Sequence, residues 1–259
     1  MPLIVTRPRA QAVDWVSRLQ ALGVPALALP LIDIAALQDT APVRSAWRLL
    51  PACALVMFVS ANAVQHFFSA APVRRPGWPG GVRAGSTGPG TSAALRAAGV
   101  PEGSIVEPAQ DAPASDSEAL WTRLQAEPWA GRQVLVVRGE DGRDWLADAL
   151  RAEGAEVCFV AAYRRQPPAL ASAARGVLRA ALAEPASHVW HFSSSEAIAN
   201  LQAWGQALPA PADWSHSLAL AAHPRIVQAA GNAGFGRVER VGATPQAVAD
   251  WLAGRASLE

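Results

Sequence analysis

Apolar positions along this chain fall into two alternating patterns: short unbroken runs, and longer stretches where they recur every three or four positions. The first pattern reads as buried strand and the second as amphipathic helix. Leu3, Ile4 and Val5 form the first run, and 10–22 carries Val13, Val16 and Leu19 at helical spacing before Gly23 stops it. The stretch 24–37 is extended, with Pro25 and Pro30 arguing against one central strand throughout. A second unit begins with the apolar run 54–59 and a helix over 62–70. A turn-rich connection over 72–81 leads to a strand at 82–84, a Gly/Ser/Thr loop, a helix over 91–98 stopped by Gly99, and a strand at 104–107. After a loop over 108–117 come a helix from Ser117, strand 134–137, helix 144–152, strand 157–162 and helix 169–183. Strand 188–192, a helix from Ser195, strand 217–221, helix 224–230, strand 237–241 and helix 245–253 follow.

Strands separated by helices imply parallel sheets covered by helices, an α/β fold. Ligands in such sheets bind beyond the carboxyl ends of the strands. The length of 259 residues exceeds the roughly 250 at which one core stops growing, so two domains are expected, with the chemistry in the cleft between them. An internal repeat points the same way. Residues 3–7 resemble 134–138, each followed by an Asp-Trp pair (Asp14-Trp15 and Asp144-Trp145) and by a glycine, Gly23 or Gly154. Residues 58–62 match 191–195, and 91–99 has the length and character of 226–234.

Composition narrows the function classes. Hydrophobic residues make up 51% and charged residues 17%, far from a disordered chain. Lys and Arg number 22 against 21 Asp and Glu, a net charge of +1 that gives no nucleic-acid or membrane-surface footprint. Cys53 and Cys158 are too few for a disulfide framework or structural zinc site, and both read as buried thiols in apolar runs. Met1 leads directly into a strand without a basic leader, and no run approaches 20 apolar residues. A cytoplasmic protein is expected.

The strand ends carry the candidate chemistry. Arg7 and Arg138 each leave a strand into a loop, where an arginine holds a carboxylate with two hydrogen bonds or pairs with a neighbouring acid. Ser60 and Asn62, like Ser193 and Ser195, either cap the following helix or leave its first N–H groups facing an anion. The loop 85–91 is a fair anion cradle, but it lacks G-x-G-x-x-G and the lysine of a Walker A loop. No hydrolase elbow or H-E-x-x-H is present. His66, His188, His191, His216 and His223 lack metal-binding spacing, and His188 and His191 on one strand would face opposite ways. Tyr163, the single tyrosine, ends a strand before Arg164 and Arg165; it either donates a proton or packs at a domain edge.

Several short segments, taken in order, resemble the uroporphyrinogen-III synthase family. They are Thr6-Arg7-Pro8, Phe58-Val59-Ser60-Ala61-Asn62-Ala63-Val64, Gly88-Pro89-Gly90-Thr91-Ser92-Ala93-Ala94-Leu95, Val137-Arg138-Gly139-Glu140-Asp141-Gly142-Arg143, Val160-Ala161-Ala162-Tyr163 and Phe192-Ser193-Ser194-Ser195. The resemblance implies two similar parallel-sheet, flavodoxin-like domains joined by a two-stranded antiparallel connector. The first would be discontinuous, 1–35 with 167–259, and the second 36–165, with connector strands near 29–37 and 157–165. It implies closure of the linear tetrapyrrole hydroxymethylbilane with inversion of the last ring and loss of water, by a monomer without cofactor or metal. Tyr163 would assist departure of the hydroxyl, and Thr91 would be the family's activity-linked threonine. Arg7, Ser60, Asn62, Ser86, Gly90, Arg138, Gly139, Arg143, Ser193, Ser194, Ser195 and His223 would bind the substrate's eight carboxylates. Transient contact with the enzyme that supplies the unstable substrate is left open.

One segment departs from the family pattern. Where many members carry Gly-x-x-Thr in the C-terminal unit, this chain reads His223-Pro224-Arg225-Ile226. His223 and Arg225 would supply polar contacts there, or His223 would simply cap the next helix. Two competing readings are a bilobal binding protein for a small polyanion, and a two-domain enzyme acting on a phosphorylated substrate.

Overall fold

The computed structural model describes residues 1–72, 77–109, 117–140 and 144–256. The chain divides into two compact α/β units, Met1–Asp33 with Gln166–Glu259, and Ile34–Arg165. In chain order the elements begin with β1 (Leu3–Val5), α1 (Arg9–Ala21), β2 (Ala26–Ala28), β3 (Asp33–Ala36) and α2 (Ala41–Leu49). Then come β4 (Cys53–Phe58), α3 (Ala61–Ser69), β5 (Arg83–Ser86), α4 (Pro89–Ala97), β6 (Ile105–Val106) and α5 (Ser117–Leu124). They continue with β7 (Gln133–Gly139), α6 (Trp145–Ala152), β8 (Glu156–Gln166), α7 (Ser172–Ala183), β9 (Val189–Phe192) and α8 (Ser195–Gln206). The last are β10 (Leu218–Ala221), α9 (Pro224–Asn232), β11 (Arg237–Arg240) and α10 (Pro245–Ala256). No helix among the described residues is long and apolar enough to cross a membrane.

The first unit holds a five-stranded sheet in the order β11-β10-β9-β1-β2, each neighbouring pair parallel. Its central strands β1, β9 and β10 are buried along their whole length, as parallel strands covered on both faces must be. The second unit holds a six-stranded sheet, β3-β8-β7-β4-β5-β6, with parallel pairs from β8 through β6. Its core includes an aromatic group in which Trp47 stacks on Phe67 at 4.8 Å and donates its indole N–H to the Phe67 carbonyl at 3.0 Å. Each such buried side chain stabilises the fold by roughly 1.5–3 kcal/mol.

Strand and helix alternation follows the sequence pattern, with four differences. The buried stripe of α1 is Ala12, Trp15 and Leu19, not Val13, Val16 and Leu19; Val13 is 60% exposed. The large indole of Trp15 sets the phase of that face. Helix α2, which buries Val43, Ala46 and Trp47, adds to the expected elements. The extended stretch 24–37 breaks between β2 and β3, where Pro30 cannot donate to a ladder. Cys53 is buried as expected, but Cys158 is exposed. It lies in the first half of the eleven-residue β8, which the four-residue β3 cannot flank over its full length.

The internal repeat is a permuted one. Equating β1, β2, β9, β10 and β11 with β7, β8, β4, β5 and β6 gives both sheets one spatial order. The registers agree: Val5 pairs with His191 as Val136 pairs with Met57, and Leu3 pairs with Ala26 as Val134 pairs with Val157. Two pairs of helix-ending glycines match as well, Gly23 with Gly154 and Gly99 with Gly234, all at positive φ. This register corrects two details of the sequence repeat. Ser60 corresponds to Ser194, not Ser193, because each is the N-cap of its helix. Buried Trp15 corresponds to buried Leu146, whereas Trp145 is 44% exposed, so the two Asp-Trp pairs are a coincidence of letters.

Candidate functional site

In the second unit, the ends of β4, β5 and β7 carry candidate residues, and Tyr163, expected to end a strand, lies within β8, which continues to Gln166. The chain turns sharply after β4, and Ser60 caps α3 by accepting the Ala63 N–H at 3.1 Å. The same hydroxyl lies 3.2 Å from the phenolic oxygen of Tyr163, on β8. The Tyr163 side chain is buried, its backbone lies beside Gly139 in the β7–β8 register, and its carbonyl accepts from the Glu140 N–H at 3.1 Å. The ring therefore packs at a fixed place while its oxygen reaches the first turn of α3. Asn62, the second residue of that helix, is half-buried and does not cap it.

The loop after β5 is braced from within. Ser86 Oγ donates to the Gly88 carbonyl at 2.9 Å, accepts the Gly88 N–H at 3.2 Å, and accepts from Ser92 Oγ at 2.8 Å. Its bonding capacity is spent on holding the loop. Thr87 Oγ1 donates to the Val59 carbonyl at 3.2 Å, tying this loop to the one that carries Ser60. Gly88 is the N-cap of α4, and Pro89, Gly90 and Thr91 form its first turn. A Cβ at Gly90 would meet nothing within 4 Å, and the Thr91 side chain is only 5% exposed.

The two repeat-related arginines differ. Arg138 is ion-paired with Asp144, and its guanidinium carbon lies 4.8 Å from the centre of the Phe159 ring. Arg7 makes no ion pair among the described residues. Its guanidinium carbon sits 4.2 Å from the centre of the Trp15 ring, Nη1 reaches Gln11 Oε1 at 3.4 Å, and buried Nε has no partner. Burial lowers its pKa to about 10, which leaves it charged at neutral pH. Beneath it His191, fully buried, stacks on Trp15 with centroids 4.6 Å apart, and neither ring nitrogen has a hydrogen-bond partner. Burial first, and the charge of Arg7 second, push its pKa down to about 3, so this imidazole is neutral.

Elsewhere in the first unit, Ser194 caps α8 by accepting the Glu196 N–H at 3.2 Å; Ser193 precedes the cap, and Ser195 Oγ is buried without a partner. His223 caps α9, its Nδ1 accepting the Arg225 N–H at 3.1 Å, and is otherwise exposed. Arg143 lies outside the described residues. No cluster of three potential metal ligands occurs among the described residues. A cavity of about 450 Å³ in this unit is lined by Met1, Gly23 and Pro25 at the amino ends of the strands, away from every candidate residue.

Residues 13–249 match the family model described as uroporphyrinogen-III synthase HemD. The chain belongs to this family. It is 34% identical over 167 residues to the uroporphyrinogen-III synthase of Salmonella typhimurium, and 32% identical over 165 residues to that of Escherichia coli. Each match covers 64% of this chain and 65% of the relative, so the chain spans about two thirds of the length of these relatives. The fold resembles a mutant uroporphyrinogen III synthase of Thermus thermophilus (TM-score 0.58, 15% identity, 99% of each chain). It also resembles the Helicobacter pylori uroporphyrinogen-III synthetase (TM-score 0.57, 13% identity, 100% of each chain).

For this member of the uroporphyrinogen-III synthase family, the permuted register puts Thr91 and Ile226 at the same helical position, the third residue of α4 and of α9. Ile226 is buried, like Thr91. Three residues near these sites have no counterpart among the sequence candidates: Trp15 on α1, His191 on β9 and Thr87 just after β5. Trp15 could have been found, because it lies two turns into the helix that follows Arg7. The other two are placed by strand register.

Proposed function

We propose that the chain is a uroporphyrinogen-III synthase, closing hydroxymethylbilane into uroporphyrinogen III with inversion of the last pyrrole ring and loss of water. The observation that carries this reading is the phenol of Tyr163, fixed by core packing with its oxygen 3.2 Å from Ser60 at the first turn of α3. The phenol gives its proton to the departing hydroxyl as the carbon–oxygen bond breaks, so water leaves and an azafulvene cation-like species remains. The substituted α-carbon of the last pyrrole attacks that carbon to give a spiro intermediate. The bond from this α-carbon to its original methylene then breaks, leaving a second azafulvene-like cation, to which the other α-carbon of the same ring bonds. The proton lost as the last ring regains aromaticity returns the phenolate to the phenol, and the balance is one water released. Ser60 keeps the phenolic oxygen oriented through this exchange. Arg7 supplies a desolvated, uncompensated cation for a substrate carboxylate.

On the same reading the protein acts in the cytoplasm as a monomer and needs no cofactor. We also read the first unit as flavodoxin-like, since its strands numbered within the unit run 2-1-3-4-5, and the second as its permuted copy. Strands β3 and β8 are read as the antiparallel connector. In support, Gln166 at the end of β8 donates to Asp33 at the start of β3 at 3.1 Å. The activity is tested by mixing the purified protein with freshly generated hydroxymethylbilane and separating the uroporphyrinogen isomers formed. Isomer III is expected; isomer I alone, the product of spontaneous closure, rejects the reading.

A further inference from the structure

Helix α3 touches the phenol of Tyr163 at two points. Ser60, its N-cap, meets the oxygen at 3.2 Å. His66, one turn beyond Asn62, lies along the ring, the two centroids 5.7 Å apart and the planes 29° from parallel. We propose that His66 is a positioning residue for Tyr163, fixing the tilt of the ring by stacking while Ser60 fixes its oxygen. This inference rests on the synthase reading, in which Tyr163 is the proton donor.

The rest of α3 is anchored so that the imidazole has a defined place. Phe67, next to His66, is fully buried between Trp47 at 4.8 Å and Phe58 at 5.5 Å. Phe68 meets Trp47 edge-on at 5.2 Å and stacks on Trp78 at 6.2 Å. His66 is half-buried on a different side of the helix, and burial lowers its pKa, which favours the neutral ring against the phenol. Core packing sets the place of the ring, and the hydrogen bond to its oxygen does not by itself set the tilt. The His66 imidazole on the ring face fixes that tilt, in the offset-stacked arrangement that aromatic rings favour. Orientation of a proton donor is where such a contact would be felt, because small misplacements of reacting groups are costly.

Tyr163 is the only tyrosine in the chain, so its environment can be read directly. Protein labelled with 3-fluorotyrosine carries a single fluorine position, whose ¹⁹F resonance senses the neighbouring ring without any substrate present. His66→Ala is expected to shift that resonance, and His66→Phe, which keeps a stacked ring, to restore most of it. In turnover, His66→Ala is expected to lower kcat about ten-fold with KM within about two-fold, and His66→Phe to recover kcat to within about three-fold. If His66→Ala fails to fold, His66→Gln carries the same test, keeping polarity without the ring. An unmoved ¹⁹F resonance, an unchanged kcat, or failure of His66→Phe to restore kcat each overturns the proposal. If the wild-type protein forms only isomer I, the synthase reading fails, a result separate from the ¹⁹F comparison.

Discussion

The guanidinium of Arg7 lies over the indole of Trp15, 4.2 Å from the ring centre, with no acidic partner among the described residues. Its repeat-related counterpart Arg138 is ion-paired with Asp144. The same strand-end position thus carries a neutralised cation in one unit and an open one in the other. A desolvated cation without a counter-charge is costly to maintain, and an incoming carboxylate removes that cost.

Arg7→Ala is therefore expected to act mainly on substrate binding. Loss of a charge-assisted pair of hydrogen bonds corresponds to about 1.5–3 kcal/mol, or roughly ten- to a hundred-fold in kcat/KM, carried by KM. Arg138→Ala, which breaks a partly exposed ion pair, is expected to change stability by about 1 kcal/mol or less and kcat/KM by less than about three-fold. Steady-state kinetics of both variants decide the matter. Equal losses would show that Asp144 does not keep Arg138 from the substrate.

Tyr163→Phe removes one hydroxyl from a packed ring. Its kcat is expected to fall by about 10²–10⁴-fold, the range of general-acid catalysis, with KM unchanged and about 1 kcal/mol or less of stability lost with the Ser60 contact. Ser60→Ala removes both the oxygen contact and the N-cap of α3. It should lose about 1 kcal/mol of stability together with a smaller part of kcat. A Tyr163→Phe enzyme that still turns over at the wild-type rate would remove the phenol from the chemistry.

Much of this architecture was readable in the chain, and the failures have a common cause. Alternating strand and helix patterns gave nearly every element, because burial on both faces writes unbroken apolar runs such as 134–137. What could not be read was phase. Asn62 was as plausible a cap as Ser60, and only the turn after Phe58 decides which oxygen faces the open N–H groups. The pairing of Arg138 with Asp144, and the freedom of Arg7, depend on local side-chain reach that residue spacing does not encode. His66 carried no signal at all as a partner of Tyr163, since helix α3 and strand β8 meet only through sheet order. Helix α2, in contrast, has a clear buried stripe of Val43, Ala46 and Trp47 that could have been recognised.

Thr91 and Ile226 occupy one position of the repeat, and the pair can be tested reciprocally. Thr91→Val keeps the shape and removes the hydroxyl, and is expected to lower kcat/KM about ten-fold through one lost hydrogen bond to substrate. Ile226→Thr places a hydroxyl at a buried position and is expected to cost about 1–3 kcal/mol of stability without raising activity. The rate of isomer III formation and urea unfolding of both variants check this. A rise in kcat in Ile226→Thr would mean that the first unit retains a working threonine site.

His191 makes stability depend on pH in a defined direction. Unfolded, its pKa is about 6.5; folded, burial holds it down to about 3. Above pH 6.5 neither state binds the proton and the full stability is present. As pH falls below 6.5, the unfolded chain binds a proton that the native imidazole refuses, and the native state loses ground until about pH 3. Between pH 7.5 and 5 this one group accounts for about 2 kcal/mol. The register supplies the control, because the equivalent position in the second unit is Met57, also buried. His191→Met removes two buried nitrogens that have no partner, so its stability at pH 7.5 is expected to equal or exceed that of the wild type. Urea unfolding at pH 7.5 and pH 5 is expected to show the wild type losing about 2 kcal/mol more than His191→Met across that interval. Equal losses in the two proteins would mean that His191 is not held neutral in the folded state.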